Sequence, residues 1–287
     1  MIQKEETSYL EYTAAKMRRR LLDVVYNAQT GHIGGGLSSI NMLTVLYFHT
    51  LNVDPENPEK ENRDRFIMSK GHCVEALYCA LEEKKFIDPE LLNNYGTYNS
   101  PLAGHPTVKV PGIEVNTGAL GHGLSVGVGL AIAAKMDQKT YNTFVLMGDG
   151  EQGEGSIYEA AMSAGHYKLD NLVAIIDRNG LQISDKTENV MSLEPIGERW
   201  KAFGWEVFET NGDDIRSIIE TFGKIDYQSG KPHLIISKTT KGKGIPCMEN
   251  ILKWHHGIPN EQEYNESLSE LNACIDRIHQ SLNSDLQ

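Results

Sequence analysis

The sequence lacks the marks of several large protein classes. Its four cysteines, Cys73, Cys79, Cys247 and Cys274, have neither zinc-site nor disulfide-framework spacing. Reduced thiols and a cytoplasmic location are therefore expected. No apolar run approaches the length of a membrane span. The first residues, MIQKEETSYLEY, are charged and lack the apolar centre of a signal peptide. There is no long basic run, and a net charge of −12 argues against nucleic acid and anionic membranes as partners. Internal repeats and low-complexity segments are also missing. What remains is an ordinary globular composition, 40% hydrophobic and 23% charged, in 287 residues. That length suits one large α/β domain, or one domain with decorations.

Residues 143–183 carry the most information. An apolar, β-rich run from Thr143 to Met147 ends abruptly in Gly148-Asp149-Gly150. A helical stretch with Ala160, Ala161 and Ala164 follows, and a second apolar run, Leu172 to Ile176, ends in Asp177-Arg178-Asn179-Gly180. The pattern predicts a strand–helix–strand unit with both polar stops at carboxyl ends of strands. In an open parallel sheet that edge is where ligands bind. Asp149 and Asn179 are then neighbours in space. A carboxylate, an amide oxygen and a free backbone carbonyl are hard ligands that suit Mg²⁺, which keeps positions for phosphate oxygens and water. The glycines flanking Asp149 admit a diphosphate close to the backbone, and the following helix aims its N-terminal amides there. Gly-Asp-Gly with Asn at this distance resembles the diphosphate-binding domain of thiamine-diphosphate enzymes.

The rest of the chain supplies the frame. Residues 7–28 predict an amphipathic helix, with Leu10, Ala14, Met17, Leu21 and Val25 at spacings of three and four. Arg18-Arg19-Arg20 is expected to be a solvated face. Residues 31–36 read as a loop, after which Ser38 or Ser39 caps a helix to about Phe48. Residues 51–64 are loop, Arg65–Ser69 a short strand, Cys73–Lys84 a helix, and 96–112 an extended loop. Gly118–Lys135 is read as a helix loaded with Gly and Ala. Such a load is costly in a helix, so it predicts close approach of a cofactor or a partner subunit. Strands are expected at Trp205–Phe208 and His233–Ser237, with Asp213–Phe222 helical between them. The basic loop Lys238–Gly244 does not match a P-loop and is not read as a nucleotide site. The tail from Asn260 is helical, with Leu268, Leu271, Ile275, Ile278 and Leu282 as a docking stripe.

Ten histidines occur, and five directly follow glycine: His32, His72, His105, His122 and His166. A glycine places an imidazole on backbone that can sit close to a ligand, and imidazoles move protons near neutral pH. Thr30-Gly31-His32, Ser69-Lys70-Gly71-His72, Ala103-Gly104-His105-Pro106, Thr117-Gly118-Ala119-Leu120-Gly121 and the Gly148-Asp149-Gly150…Asn179 pair occur in that order. This ordered set resembles the N-terminal half of the transketolases, from about Tyr9 to about Pro259.

The resemblance implies an α/β, parallel-sheet thiamine-diphosphate-binding fold with helices on both faces. It spans 1–259, followed by a helical tail, 260–287, at a subunit interface. It implies Asp149, Asn179 and the Leu181 carbonyl as ligands of Mg²⁺ (or Ca²⁺ or Mn²⁺). His72, Gly118, Leu120, Gly150 and Ile183 become contacts to thiamine diphosphate. His32, His105 and either His255 or His256, with His255 preferred, become histidines of the sugar channel. Glu154 matches a glutamate that links two active sites. His122 stands where the family usually has Gln, so its imidazole is not required. His49, His166, His233 and His279 are left as structural or surface residues. Ile33 and Gly35-Gly36 depart from the proline-rich version of the first motif, and Ala119 from a common proline. Both departures look like a short, two-subunit branch.

The family's second domain, which carries the activating glutamate and the aminopyrimidine pocket, has no counterpart in the sequence. The implied enzyme is therefore split: a C-terminal transketolase subunit completes it, as an α₂β₂ assembly acting on sugars or sugar phosphates. The competing expectations are another thiamine enzyme on the same domain, such as a deoxyxylulose-phosphate synthase or a two-oxoacid dehydrogenase α-subunit, and a non-catalytic partner.

Overall fold

The computed structural model describes residues 4–285. Seven strands form in chain order: β1 (Arg65–Met68), β2 (Thr143–Gly148), β3 (Leu172–Arg178), β4 (Leu181–Gln182), β5 (Asp185–Lys186), β6 (Glu206–Asn211) and β7 (His233–Lys238). Five of them make one parallel sheet of order β1-β2-β3-β7-β6, and β4 and β5 make a small antiparallel hairpin. The helices are α1 (Lys4–Ala28), α2 (Ile33–Val45), α3 (Val74–Glu83), α4 (Pro89–Asn93), α5 (Gly123–Met136), α6 (Gly155–His166), α7 (Thr187–Val190), α8 (Ile196–Ala202), α9 (Ile215–Phe222) and α10 (Glu261–Asp285).

Strands β1, β2, β3 and β7 are buried on both faces, which is why they read as mostly apolar runs, whereas the edge strand β6 is half-exposed and more polar. Successive residues point to opposite faces. Phe144 and Leu146 of β2 join the core built with α1, α2, α3 and α9, whereas Val145 and Met147 join the core built with α5, α6 and α8. All five strands of the main sheet lie where the apolar runs place them, within a few residues at their ends.

Several expectations fail for identifiable reasons. Residues 34–36 are helix, not loop, and Ser38 and Ser39 lie inside α2, their hydroxyls bonded back to the Gly35 carbonyl. The glycines are there for contact: a Cβ at Gly34 would stand 2.6 Å from the Trp254 carbonyl oxygen. Residues 118–122 are not helical, because Gly118 and Gly121 take φ of 142° and 84°. The helix starts only at Gly123. Of the arginine run, only Arg19 is exposed. Arg18 turns inward to Asn41 at 2.7 Å and the Lys243 carbonyl at 3.1 Å, and Arg20 pairs with Glu82 at 2.8 Å. The tail stripe docks within its own chain: Leu271 is buried, and the Tyr264 ring stacks on Tyr26 of α1 at 3.9 Å. Ile275 and Ile278 stay half-buried. The sequence pattern gave no sign of the hairpin or of the short helices α4, α7 and α8.

Candidate active site

Loops leaving the carboxyl ends of β1, β2, β3 and β7 converge on a cleft of about 350 Å³. Gly148 of β2 is paired with Asp177 of β3, so the residues just past each strand are neighbours. Asp149 Oδ2 accepts the Gly180 N–H at 2.7 Å and the Thr187 hydroxyl at 3.2 Å, and Oδ1 accepts the Gly150 N–H at 2.8 Å. The Arg178 guanidinium stands 3.3 Å from Oδ2. Burial, and then the neighbouring Asp177 charge, push the Asp149 carboxyl above its ordinary range. Asn179 is oriented from both ends: Nδ2 donates to Asp177 Oδ2 at 3.1 Å and Oδ1 accepts the Leu181 N–H at 3.1 Å. The Leu181 carbonyl accepts from Lys241 Nζ at 3.1 Å.

Behind this row lies a buried ion pair, Lys70 with Asp177, which Ser38 joins through its hydroxyl at 2.7 Å. Burial works to raise the Asp177 carboxyl, yet Lys70 holds it below the usual carboxylate range. Such a pair adds little net stability, but removing one partner strands the other and costs about 3–5 kcal/mol. Its service here is to fix the Asn179 amide. Glu151, also buried, accepts the Gly121 and Gly148 N–H groups, each at 2.9 Å, and the Ser69 hydroxyl. It thereby ties together the turns after β1 and β2 and the glycine turn before α5.

Among the described residues no group of three His, Cys, Asp or Glu side chains could hold a metal. The donors that converge are instead one carboxylate, one amide oxygen and one carbonyl. A set so sparse in charge fits a small hard cation that takes its remaining ligands from phosphate and water.

The histidines gather on the other side of the cleft. The His32 ring lies 5.0 Å from His72, 5.6 Å from His255 and 4.5 Å from His256. His105 is exposed and covers Gly118, where a Cβ would stand 2.8 Å from its ring. Burial depresses His32 to about 4, helped by His256 and His105. Burial and Lys241 depress His255 to about 3, and burial and Lys70 depress His72 to about 2. All three imidazoles are therefore neutral near pH 7. Of the Trp-His-His pair, His255 lines the cleft, its Nδ1 2.9 Å from Lys241 Nζ, and His256 is exposed.

The structure thus collects Asp149, Gly150, Asn179, Leu181, His72, Gly118, Leu120, Ile183, Glu154 and His255 around one cleft, with His32 beside His72 and His105 against Gly118. Ile183 is a β-branched residue held at φ 43° on the hairpin tip, 67% exposed. That combination is strained and apolar at once, the form expected of a surface kept for a ligand. Glu154 is exposed on the rim, at the N-terminus of α6. His122 is exposed and faces only the Leu120 carbonyl, at 3.1 Å. Lys70, Glu151, Gln182 and Lys241, to which sequence reasoning gives no role, also line the cleft. The signal for Lys241 is present, a lysine among glycines just after a strand, but failure to match the P-loop pattern hides it.

A parallel sheet with an aspartate, an asparagine and a backbone carbonyl converging at its carboxyl edge is the framework of a thiamine-diphosphate-binding domain. The family model described as "Transketolase, thiamine diphosphate binding domain" matches residues 11–271. The chain belongs to the transketolase family. It is 61% identical over 274 residues to one of the subunits of the apulose-4-phosphate transketolase of Phocaeicola vulgatus, covering 96% of this chain and 98% of that one. It is 37% identical over 268 residues to a 6-deoxy-6-sulfo-D-fructose transketolase subunit of a Clostridium species, covering 93% and 98%. Among solved structures, the transketolase of Campylobacter jejuni aligns with a TM-score of 0.86 at 32% identity, over 94% of this chain but 45% of that one. The chain therefore spans about half the length of the solved transketolases it matches, and nearly all of the two relatives named as subunits.

Proposed function

We propose that this chain is the diphosphate-binding half of an enzyme that moves a two-carbon glycolaldehyde unit from apulose 4-phosphate, or a closely related branched ketose phosphate, to an aldose. The observation that carries the reaction is the juxtaposition of the Asp149–Asn179–Leu181 oxygen set with neutral histidines across one cleft. The 61% identity to part of an apulose-4-phosphate transketolase supports the donor.

Asp149, Asn179 and Leu181 would hold Mg²⁺, and Gly150, His72, Gly118, Leu120 and Ile183 would hold thiamine diphosphate. Bound there, the coenzyme supplies the nucleophilic carbon that carries the two-carbon unit. His32, His105 and His255 bond the donor hydroxyls. One of the neutral pair His32 and His255 takes the C3 hydroxyl proton as the C2–C3 bond breaks and the first carbonyl product leaves, a ketone where C3 is branched and an aldose where it is not. The same group returns a proton to the carbonyl oxygen of the acceptor aldose.

The other half of the pocket comes from a C-terminal transketolase subunit in an α₂β₂ assembly. Support for a partner lies on α5 and α6, where Val126, Met136 and Met162 are exposed apolar residues, with Tyr167 exposed just past the end of α6. The outer end of the 260–287 tail, with half-buried Ile275 and Ile278, is a second contact. Four free cysteines support a reducing, cytoplasmic setting.

The test is to mix the chain, its partner, thiamine diphosphate, Mg²⁺ and an acceptor aldose with apulose 4-phosphate, a pentose phosphate or a sulfonated ketose, and to follow release of the shortened carbonyl product. Turnover by the chain alone would remove the split reading. A preference for the sulfonated or the unbranched sugar would replace the donor.

A further inference from the structure

We infer that Glu75, a buried carboxyl on α3 to which neither the family motifs nor the cleft lining assigns a role, is the positioning residue for His32 and so for the sugar side of the site. The inference rests on the reading of His32 as a sugar-facing residue.

The argument starts from the beginning of α2. Its N-cap is His32, and no side chain of the helix's own start caps it. A helix that begins in the interior leaves backbone N–H groups and a partial positive charge to be answered. Glu75 is 1% exposed and faces that start from the neighbouring helix. Burial raises its carboxyl to about 7, while the Tyr95 hydroxyl, its own amide and the backbone N–H of His32 pull the other way. The chain makes room for it at one residue: Gly31 takes φ 141°, and a Cβ there would stand 2.9 Å from Glu75 Oε1 and 2.8 Å from Val25. Glu75 therefore touches both residues of the Gly31-His32 turn.

The carboxyl is itself held on one side only. Tyr95 donates to Oε1 at 2.7 Å, and Oε2 has no hydrogen-bond partner among the described residues. Tyr95 meets Tyr78 edge to face at 5.9 Å, and the Tyr78 hydroxyl donates to the Ala103 carbonyl at 2.9 Å. Ala103 belongs to the loop that carries His105. One buried group of three side chains thus stands behind both histidine loops. The His32 ring, by contrast, meets no side-chain hydrogen-bond partner among the described residues and is held by the backbone of His72, so its aim depends on the turn that carries it.

The experiment uses Glu75→Leu, Glu75→Gln and Tyr95→Phe in the reconstituted pair. It reads donor KM, kcat, thiamine-diphosphate affinity, and hydrogen exchange across residues 31–36. Glu75→Leu should raise donor KM at least fivefold, leave kcat and coenzyme affinity within twofold, and speed exchange at 31–36. Glu75→Gln, which keeps an acceptor in place, should restore KM to within twofold of the parent. Tyr95→Phe should shift KM in the same direction as Glu75→Leu, and it decides the matter should the leucine variant not fold. Unchanged KM and exchange in the leucine or phenylalanine variant overturns the proposal, as does a glutamine variant as impaired as the leucine one. If the parent pair transfers no two-carbon unit from any ketose, the functional reading fails. The exchange data then decide the positioning role alone: faster exchange at 31–36 upholds it and parental exchange ends it.

Discussion

The two sides of the cleft are built on opposite plans. On the oxygen side every donor is braced: Asp149 accepts two backbone N–H groups and a hydroxyl, and the Asn179 amide is fixed at both ends. On the histidine side the rings of His72 and His105 make no hydrogen bonds among the described residues, the His32 ring meets the His72 backbone, and His255 is tied to Lys241. The difference fits the roles proposed for the two sides. A cation and a diphosphate are invariant and reward a preformed cradle. A sugar brings its own hydroxyls, and lightly held imidazoles leave donors and acceptors available to them.

The largest effect that would break this contrast is on the braced side. Asp149→Asn should lower thiamine-diphosphate affinity in the presence of Mg²⁺ by at least about a hundredfold, by analogy with lost metal-site groups. Calorimetry on the reconstituted pair would measure it, and near-parental affinity would refute the placement of the ion. Next, His32→Ala or His105→Ala should cut kcat/KM for the ketose by about 10²-fold while coenzyme affinity holds. If affinity falls with activity, the two sides are not separate. Lys241→Met should weaken coenzyme binding about tenfold, the worth of one charge-assisted hydrogen bond. It should also let the His255 titration move back toward its ordinary value, since the Lys241 charge helps to depress it; NMR would follow that shift.

Two smaller effects sharpen the comparison through stability. Glu75 titrates near 7 in the fold and near 4.5 as an ordinary carboxyl, so the folded chain binds its proton more tightly. Stability from this residue is full below about pH 4.5 and is lost as pH rises toward 7. Glu75→Gln should flatten that decline, with a gain over the parent of up to about 3 kcal/mol at pH 8. A melt series from pH 5 to 8 tests it. Last, Ile183→Asn should relieve the positive φ and raise stability by up to about 1 kcal/mol, while weakening coenzyme binding severalfold. Parallel losses in both would mean that the hairpin tip is merely structural.

How much of this could be read beforehand follows from the range of each interaction. The strands were legible because burial on both faces makes short apolar runs, and each run stops at a polar turn such as Gly148-Asp149-Gly150. Asp149 and Asn179 were legible because adjacent parallel strands bring their ends together. The start of α2 was not, since Gly34 owes its place in a helix to the Trp254 backbone, more than two hundred positions away. Lys70 with Asp177, and Glu75 with Tyr95, were hidden for the same reason. A buried charge and its partner leave no periodicity, and only the folded chain shows that one answers the other.

The alternation along β2 has a consequence for divergence. Leu146 and Val145 are adjacent in the chain yet belong to separate interiors, so the sheet works as a septum. Substitutions beneath α5 and α6 can accumulate without disturbing the packing behind α2 and α3, on which the histidine turns rest. A lineage can then remodel the surface proposed to meet a partner while the wall proposed to read the sugar stays fixed, or the reverse, and the two histories need not keep pace.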